Sequence, residues 1–391
     1  MVNQRKSFNM HQNTNCSAYG CNPRPVRLVD QHGFGLIEVM IAIMLGLIII
    51  AGIMKLFVTN HQTDMTTQAL GQISENARYI MNRIGRETRM AGYSGAMRLT
   101  PTNMLNNANN LAFDFDGSLI TGSTAIVGYN NFSAELPADV AAYLNPADPK
   151  PLLNTDLLIL RTTYDSAPVA LTGNTTAVTI PVANNIASSR SCSVGVAISG
   201  ICSGDLLLIS DYRKARIFQA SSITAAGVIT HLPGGDPGNA TATWTLSPTD
   251  GLFDTNAEVI PYQTVAYYVA TAPTSGQPGL FRKENNQPAR LLVPNVANFQ
   301  LEFGVDTNSD RSVDGAYQAA TAVTNNSVAG VPGGWADVLS VNITLLLAGQ
   351  NNGAVDTAQT NLLFPDGIHS APDRRLYKTT NFTAALRNRL Q

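Results

Sequence analysis

The chain has 391 residues, of which only 13% are charged, and its formal net charge is −2. Of its 25 basic and 27 acidic residues, four and one lie before position 34 (Arg5, Lys6, Arg24 and Arg27 against Asp30), which leaves 21 and 26 in the rest. So weakly acidic a body gives no firm nucleic-acid signal, and its many Asn, Thr, Ala and Gly residues argue against a disordered tail and a cytosolic enzyme.

The first predicted element is a run over 34–58 that is apolar except at Glu38 and Lys55. As a helix it spans about 37 Å, enough to cross a bilayer with some tilt. Basic residues precede it, so the amino end stays cytoplasmic and the rest is sent outward. A secretory signal would have a shorter apolar core and a small-x-small cleavage site; here the helical pattern continues instead. The charge at Glu38 is the informative exception, because an ionised carboxylate in hydrocarbon costs about 2.5–3.5 kcal/mol. Lys55 is far along the same helix, so the natural partner for Glu38 is another molecule, which points to assembly rather than catalysis. The competing reading is a residue that snorkels to the headgroup level.

Over 59–92 there is no proline, and apolar residues recur at Met65, Ala69, Ile73, Ala77, Ile80 and Ile84. These steps of three and four make one stripe of an α-helix, supported by the pairs Glu75/Arg78 and Arg83/Glu87. A single helix from Phe34 to about Ala91, stopped by Gly92, is the expectation, with the stripe packed on the chain's own domain. Beyond Tyr93 the pattern changes to short β-type runs between loops rich in Asn, Pro, Gly and Thr. The span 101–150 reads as irregular with a short helix near 138–144. Strands are predicted over 156–163, 177–182, 205–210, 216–220, 263–270, 279–283, 299–305 and 335–347, with a closing strand over 377–386. The fold class expected is α+β: a long N-terminal helix, membrane-spanning then amphipathic, packed on an antiparallel sheet with large loops.

Cys16 and Cys21 precede the apolar run, whereas Cys192 and Cys202 follow it and would sit in an oxidising compartment. A disulfide closing the small, polar 192–202 loop is expected, worth about 2–3 kcal/mol for so short a ring; two free buried thiols are the alternative. The segment Asp306-Thr307-Asn308-Ser309-Asp310-Arg311-Ser312-Val313-Asp314 places oxygen side chains at Asp306, Asn308, Asp310, Ser312 and Asp314. That spacing resembles the first nine places of a calcium loop, so Ca²⁺ is the one cofactor the sequence suggests. Against it, Arg311 stands at the sharp-turn glycine and Tyr317 at the bidentate glutamate, and an Asx-rich hairpin loop is the alternative. No phosphate-binding loop, zinc-protease motif or nucleophile elbow occurs, and His11, His32, His61, His231 and His369 are scattered, so no enzyme is expected. Trp244 and Trp335 read as core or strand anchors. Arg374, Arg375, Lys378, Arg387 and Arg389 make a basic tail, read as solvated strand edges with a DNA or partner contact as the alternative.

Gly33 followed by Phe34-Gly35-Leu36-Ile37-Glu38 resembles the class III signal of type IV prepilins and pseudopilins. Within that group, Glu75-Asn76-Ala77-Arg78-Tyr79 through Arg89-Met90-Ala91-Gly92-Tyr93 resembles PilW-type minor pilins. So do Gly204-Asp205-Leu206-Leu207-Leu208-Ile209-Ser210-Asp211, Asp373-Arg374-Arg375-Leu376 and Ala385-Leu386-Arg387-Asn388-Arg389. The resemblance implies a leader over 1–33, removed after Gly33 by the prepilin peptidase, and N-methylation of Phe34. It further implies a transmembrane half over 34–58, an amphipathic half over 59–92 and a pilin head over 93–391. In the family the new amine pairs with the carboxylate that Glu38 matches on a neighbouring subunit, which neutralises two groups costly in an apolar bundle. Two features depart from major pilins and suit a minor one: no proline stands near Lys55, and the cysteine pair lies mid-chain.

The function so implied is a minor pilin held in the inner membrane with its head in the periplasm, which then joins a fibre at the cell surface. It would prime or cap assembly in twitching motility or adhesion. Its expected partners are other minor pilins and the major pilin, bound through the N-terminal helix, and a tip adhesin. The rivals are a type II secretion pseudopilin, which shares the amino-terminal features, and a membrane-anchored adhesin or DNA-uptake subunit. A monotopic enzyme is the weakest.

Overall fold

The computed structural model describes the chain from Gly35 to Leu390, apart from 96–99, 107–109, 133–134, 164–166, 187–189, 193–194, 196, 242–250 and 329. The leader with Gly33, together with Phe34, Cys16, Cys21 and Trp244, therefore lies outside the described residues. The chain divides after Val58 into two units, taken here in turn.

Helix α1 (Leu36–Met90) contributes to both. Its residues through Val58 are exposed, Gly46 alone being half-buried, and they form a helix long and apolar enough to cross a membrane.

In the second unit α1 becomes one-sided. Ala69, Ile73, Ala77, Ile80 and Ile84 are buried and Met65 is half-buried, as the stripe predicts. Burying a large aliphatic side chain contributes about 1.5–3 kcal/mol, so this stripe outweighs any helix propensity in holding the segment in place. The helix stops at Gly92, which takes φ +71° and donates its N–H to the Arg161 carbonyl at 2.9 Å. At the other end Gly349 passes so close that a Cβ there would stand 2.7 Å from Cβ of Ala69. Glycine is what lets the sheet end reach the helix.

The main strands of the large sheet are β1 (Ile126–Tyr129), β2 (Leu157–Thr163), β3 (Leu206–Ser210), β4 (Ala215–Gln219), β5 (Glu258–Thr271), β6 (Pro278–Glu284) and β7 (Arg290–Pro294), beside the two-residue strands Thr102–Asn103 and Val169–Ala170, the former parallel to β4. The seven main strands pair antiparallel in the order β4-β3-β5-β6-β7, with β2 on β5 and β1 on β2. A second antiparallel sheet follows. It comprises β8 (Val296–Val305), β9 (Val338–Ala348) and, after the hairpin β10 (Leu362–Phe364) and β11 (Gly367–His369), β12 (Tyr377–Ala385), with β9 in the middle. Both sheets share one core with the α1 stripe. A three-stranded patch (Thr179–Pro181, Ser222–Ile223 and Val228–Thr230) closes a second, smaller core. Along β3, Leu206 and Leu208 face the main core while Leu207 and Ile209 face the second. That is why β3 reads as an unbroken apolar run rather than an alternating one.

Most predicted strands are present within a few residues. Two differ for physical reasons. The strand expected from Trp335 begins at Val338. Residues Trp335–Asp337 form a 3₁₀ turn, fixed because Asp337 accepts the Gly333 N–H at 2.9 Å and Ser327 Oγ accepts the Trp335 N–H at 2.9 Å. The strand expected over 263–270 extends back to Glu258 through Pro261, where pairing with β3 ends and pairing with β2 starts at Tyr262. A proline without an N–H is tolerated at that changeover. The basic tail is also corrected. Arg375 is buried against Asp373, Asn295 and Tyr377, and Arg389 is half-buried on the Trp335 and Val338 carbonyls, so these two are internal struts rather than solvated edges.

Ile80 is fully buried in the α1 stripe. Ile80→Ala is expected to destabilise the head by about 2–5 kcal/mol through lost burial and the cavity left behind. Thermal unfolding of the full chain in nanodiscs checks this, with Leu70→Ala on the exposed face moving the transition far less.

Candidate functional site: the N-terminal helix and its anchorage

Glu38 lies in the first turn of α1, where an acidic side chain interacts favourably with the helix dipole. Its Oε2 accepts the Gly35 N–H at 2.9 Å. The carboxylate is exposed. Among the described residues no cation pairs with it, so the geometry leaves it available to a group from outside the chain.

A second carboxylate of α1 sits in the opposite situation. Glu87 is buried, accepts hydrogen bonds from Nη2 of Arg282 at 2.9 Å and the Tyr267 hydroxyl at 2.5 Å, and forms an ion pair with Nε of Arg83 at 3.0 Å. Burial, with Glu87 adding to it, pushes the Tyr267 hydroxyl far above its usual range, so it stays a donor. Arg282 lies on β6 and Tyr267 on β5, so one side chain ties the helix to two adjacent strands. The sequence reading recognised only the local Arg83 pair. The signal for the rest was there: Glu87 continues the stripe one step past Ile80 and Ile84, and a carboxylate in an apolar row calls for a buried cation. Nearer the start of this segment, Gln62 donates to Asp356 at 2.8 Å and the Thr66 hydroxyl to the Ala354 carbonyl at 2.6 Å.

The other sequence-selected residues lie elsewhere. Cys192 and Cys202 are joined in a disulfide. In the 306–314 loop, carboxylate oxygens of Asp306, Asp310 and Asp314 lie within 4.8 Å of one another. Asp306 accepts the N–H groups of Asn308, Ser309 and Arg311 at 3.1, 2.6 and 2.8 Å. Asp310 takes the Ser312 hydroxyl at 2.8 Å, and Asp314 the Thr307 N–H at 2.8 Å. Arg311 adopts φ +67°, a conformation that favours glycine, at the turn place. This set of hard oxygens suits a divalent ion such as Ca²⁺. The same bonds close an Asx-rich hairpin loop without one, and Tyr317 turns its hydroxyl to Ser340 Oγ at 2.8 Å, so the twelfth place brings no carboxylate.

One buried acid was not foreseen. Asp156 accepts the Asn131 N–H at 2.8 Å and the Leu301 N–H at 2.7 Å, tying the loop after β1 to β8. Burial pushes its carboxyl up to about 7, outweighing those two donors, and Asp366 nearby adds to the rise.

Two outcomes follow. Glu87→Ala leaves Arg282 with Glu284 as its remaining carboxylate and removes the acceptor of the buried Tyr267 hydroxyl, and is expected to cost about 1–3 kcal/mol of unfolding free energy, measured in denaturant. Because the folded carboxyl of Asp156 titrates above its ordinary 3.8, the folded state binds the extra proton between about pH 4 and 7. Stability from this group therefore falls as pH rises through that window. Asp156→Asn is expected to be less stable overall but to lack this slope, so the difference between the two melting-temperature profiles should change between about pH 4 and 7 and level off above.

Comparison with known proteins adds two matches and one loose superposition. Residues 266–388 match the family model described as Type IV Pilus-assembly protein W, and residues 29–54 match the Prokaryotic N-terminal methylation motif. The first covers the end of β5 through β12; the second spans Gly33, Phe34 and Glu38. No curated protein matches the chain. A type IV-like pilin from Thermus thermophilus is 15% identical over 48% of this chain and 86% of its own, with a TM-score of 0.19, too low to bear on the fold. Over those two spans the chain is similar to PilW-type, type IV pilin-like proteins.

Proposed function

We propose that the protein is a minor pilin of a type IV pilus. It is made as a precursor, cut after Gly33 by the prepilin peptidase, N-methylated at Phe34 and held in the inner membrane by residues 34–58 with its head in the periplasm. It then enters the base or tip of a fibre with other minor pilins and the major pilin. Its role is structural. The observation that carries this reading is that the methylation-motif match over 29–54 falls at the start of a helix whose residues 36–58 are exposed and almost wholly apolar. An exposed stem of that kind needs lipid first and neighbouring stems later. The match to the PilW family favours a pilus over the type II secretion alternative.

In the fibre the amine at Phe34 of one subunit pairs with Glu38 of its neighbour and sets the axial register. Each group is costly alone in an apolar bundle, and together they are not.

Gly33→Val is expected to leave the protein as full-length precursor on an immunoblot, and normal trimming would contradict the processing step. Glu38→Ala is expected to be processed normally yet recovered in sheared fibres at least about tenfold less, since an unpaired buried amine costs several kcal/mol. Unaltered incorporation would contradict the pairing.

A further inference from the structure

Between the end of β1 and helix α2 (Ala320–Asn326) the head contains a cavity of about 500 Å³. That lies inside the range of about 300–1,000 Å³ typical of small-ligand pockets. No residue of α1 lines it. Its floor is apolar, built from Ile120, Val127 and Ala320, and its wall is Tyr129. The Tyr129 ring stacks on Phe132, with centroids 6.5 Å apart and planes 18° from parallel, and its hydroxyl bonds to Asp139. The ring is thus fixed at both its face and its tip while remaining half-exposed.

The rest of the lining is polar. Asn130, Asn131, Thr321 and Asn325 supply amide and hydroxyl groups, and Glu135 a carboxylate. Asn131 is held from below by the bond from its N–H to Asp156, and Asn130 Oδ1 accepts the Thr321 N–H at 3.3 Å. Among the described residues no Lys, Arg or His lines the cavity. Phosphates, nucleic acid and other anions would therefore meet only carboxylates and dipoles, and are disfavoured.

The ligand that matches an apolar floor, a fixed aromatic wall and a rim of amides and hydroxyls has an apolar face and a hydroxyl edge on one rigid ring. We propose that this cavity binds a neutral saccharide. The ring's C–H face lies against Tyr129, and its hydroxyls exchange hydrogen bonds with Asn130, Asn325, Thr321 and Glu135. The β1 side of the site lies outside the span matched to the PilW family, whereas α2 lies within it. Because no residue of α1 lines it, the site is separable from the assembly role proposed for α1.

The test uses the full chain in lipid nanodiscs free of sugar-based detergent, with maltotriose, cellotriose, chitotriose and lactose as probes. Saturation-transfer NMR detects binding and calorimetry measures it. At least one probe is expected to bind, and Asn325→Ala and Thr321→Ala, both at exposed positions, are expected to weaken it about fivefold each, the loss of one neutral hydrogen bond. Melting temperatures of these two variants should stay at the parent value. Tyr129→Ala should abolish binding, and Tyr129→Phe, which keeps the ring, should retain it. Failure of all four probes to bind, binding unaffected by the rim variants, or preferential binding of an oligolysine peptide that Glu135→Gln abolishes would each overturn the proposal.

Discussion

The structure depends on one change along a single helix. Through Val58, α1 presents apolar side chains on all sides; from Thr59 only a stripe remains. A helix apolar all round is at home in lipid, and a helix apolar on one face must bury that face against protein. Of the five buried stripe residues, Ile73, Ala77, Ile80 and Ile84 join the core shared by the two sheets. The sheets in turn fix where each loop of the head falls.

The two carboxylates of α1 show how the same chemistry serves opposite ends. Glu87 is neutralised within its own domain by Arg282 and by the Tyr267 hydroxyl. Removing one partner would leave a buried charge, so this set locks the helix to β5 and β6. Glu38 has the Gly35 N–H and the dipole of its own first turn. A charge satisfied internally specifies a fold, and a charge left for an outside partner specifies an assembly. The methylation-motif match spans the second kind, and the PilW match spans the strands that hold the first.

Much of this was legible in the sequence because the signals were periodic. The stripe from Met65 to Ile84, the stop at Gly92 and the long strands β5, β8 and β9 each announce themselves by spacing or by β-branched and aromatic content. The 192–202 bridge follows from two cysteines placed beyond the membrane run. What was not legible was set by tertiary contacts. The short strands at 222–223 and 228–230 have too few residues for a pattern and exist because β3 and β4 need their outer faces covered. The 3₁₀ turn at Trp335 depends on Ser327, eight residues away, and the Glu87–Arg282 pair joins positions 195 apart. Arg375 and Arg389 looked solvated because charge is normally a surface feature, but carbonyl and hydroxyl partners inside the head drew them in.

The central claim is that the apolar stem over 36–58 remains part of the mature protein as its membrane anchor. Mass spectrometry of the N-terminal peptide of protein extracted from membranes tests it most directly. The account predicts a mature chain that begins at Phe34 and carries a methyl group on its amine. A chain beginning beyond Val58, released free into the periplasm, would contradict it.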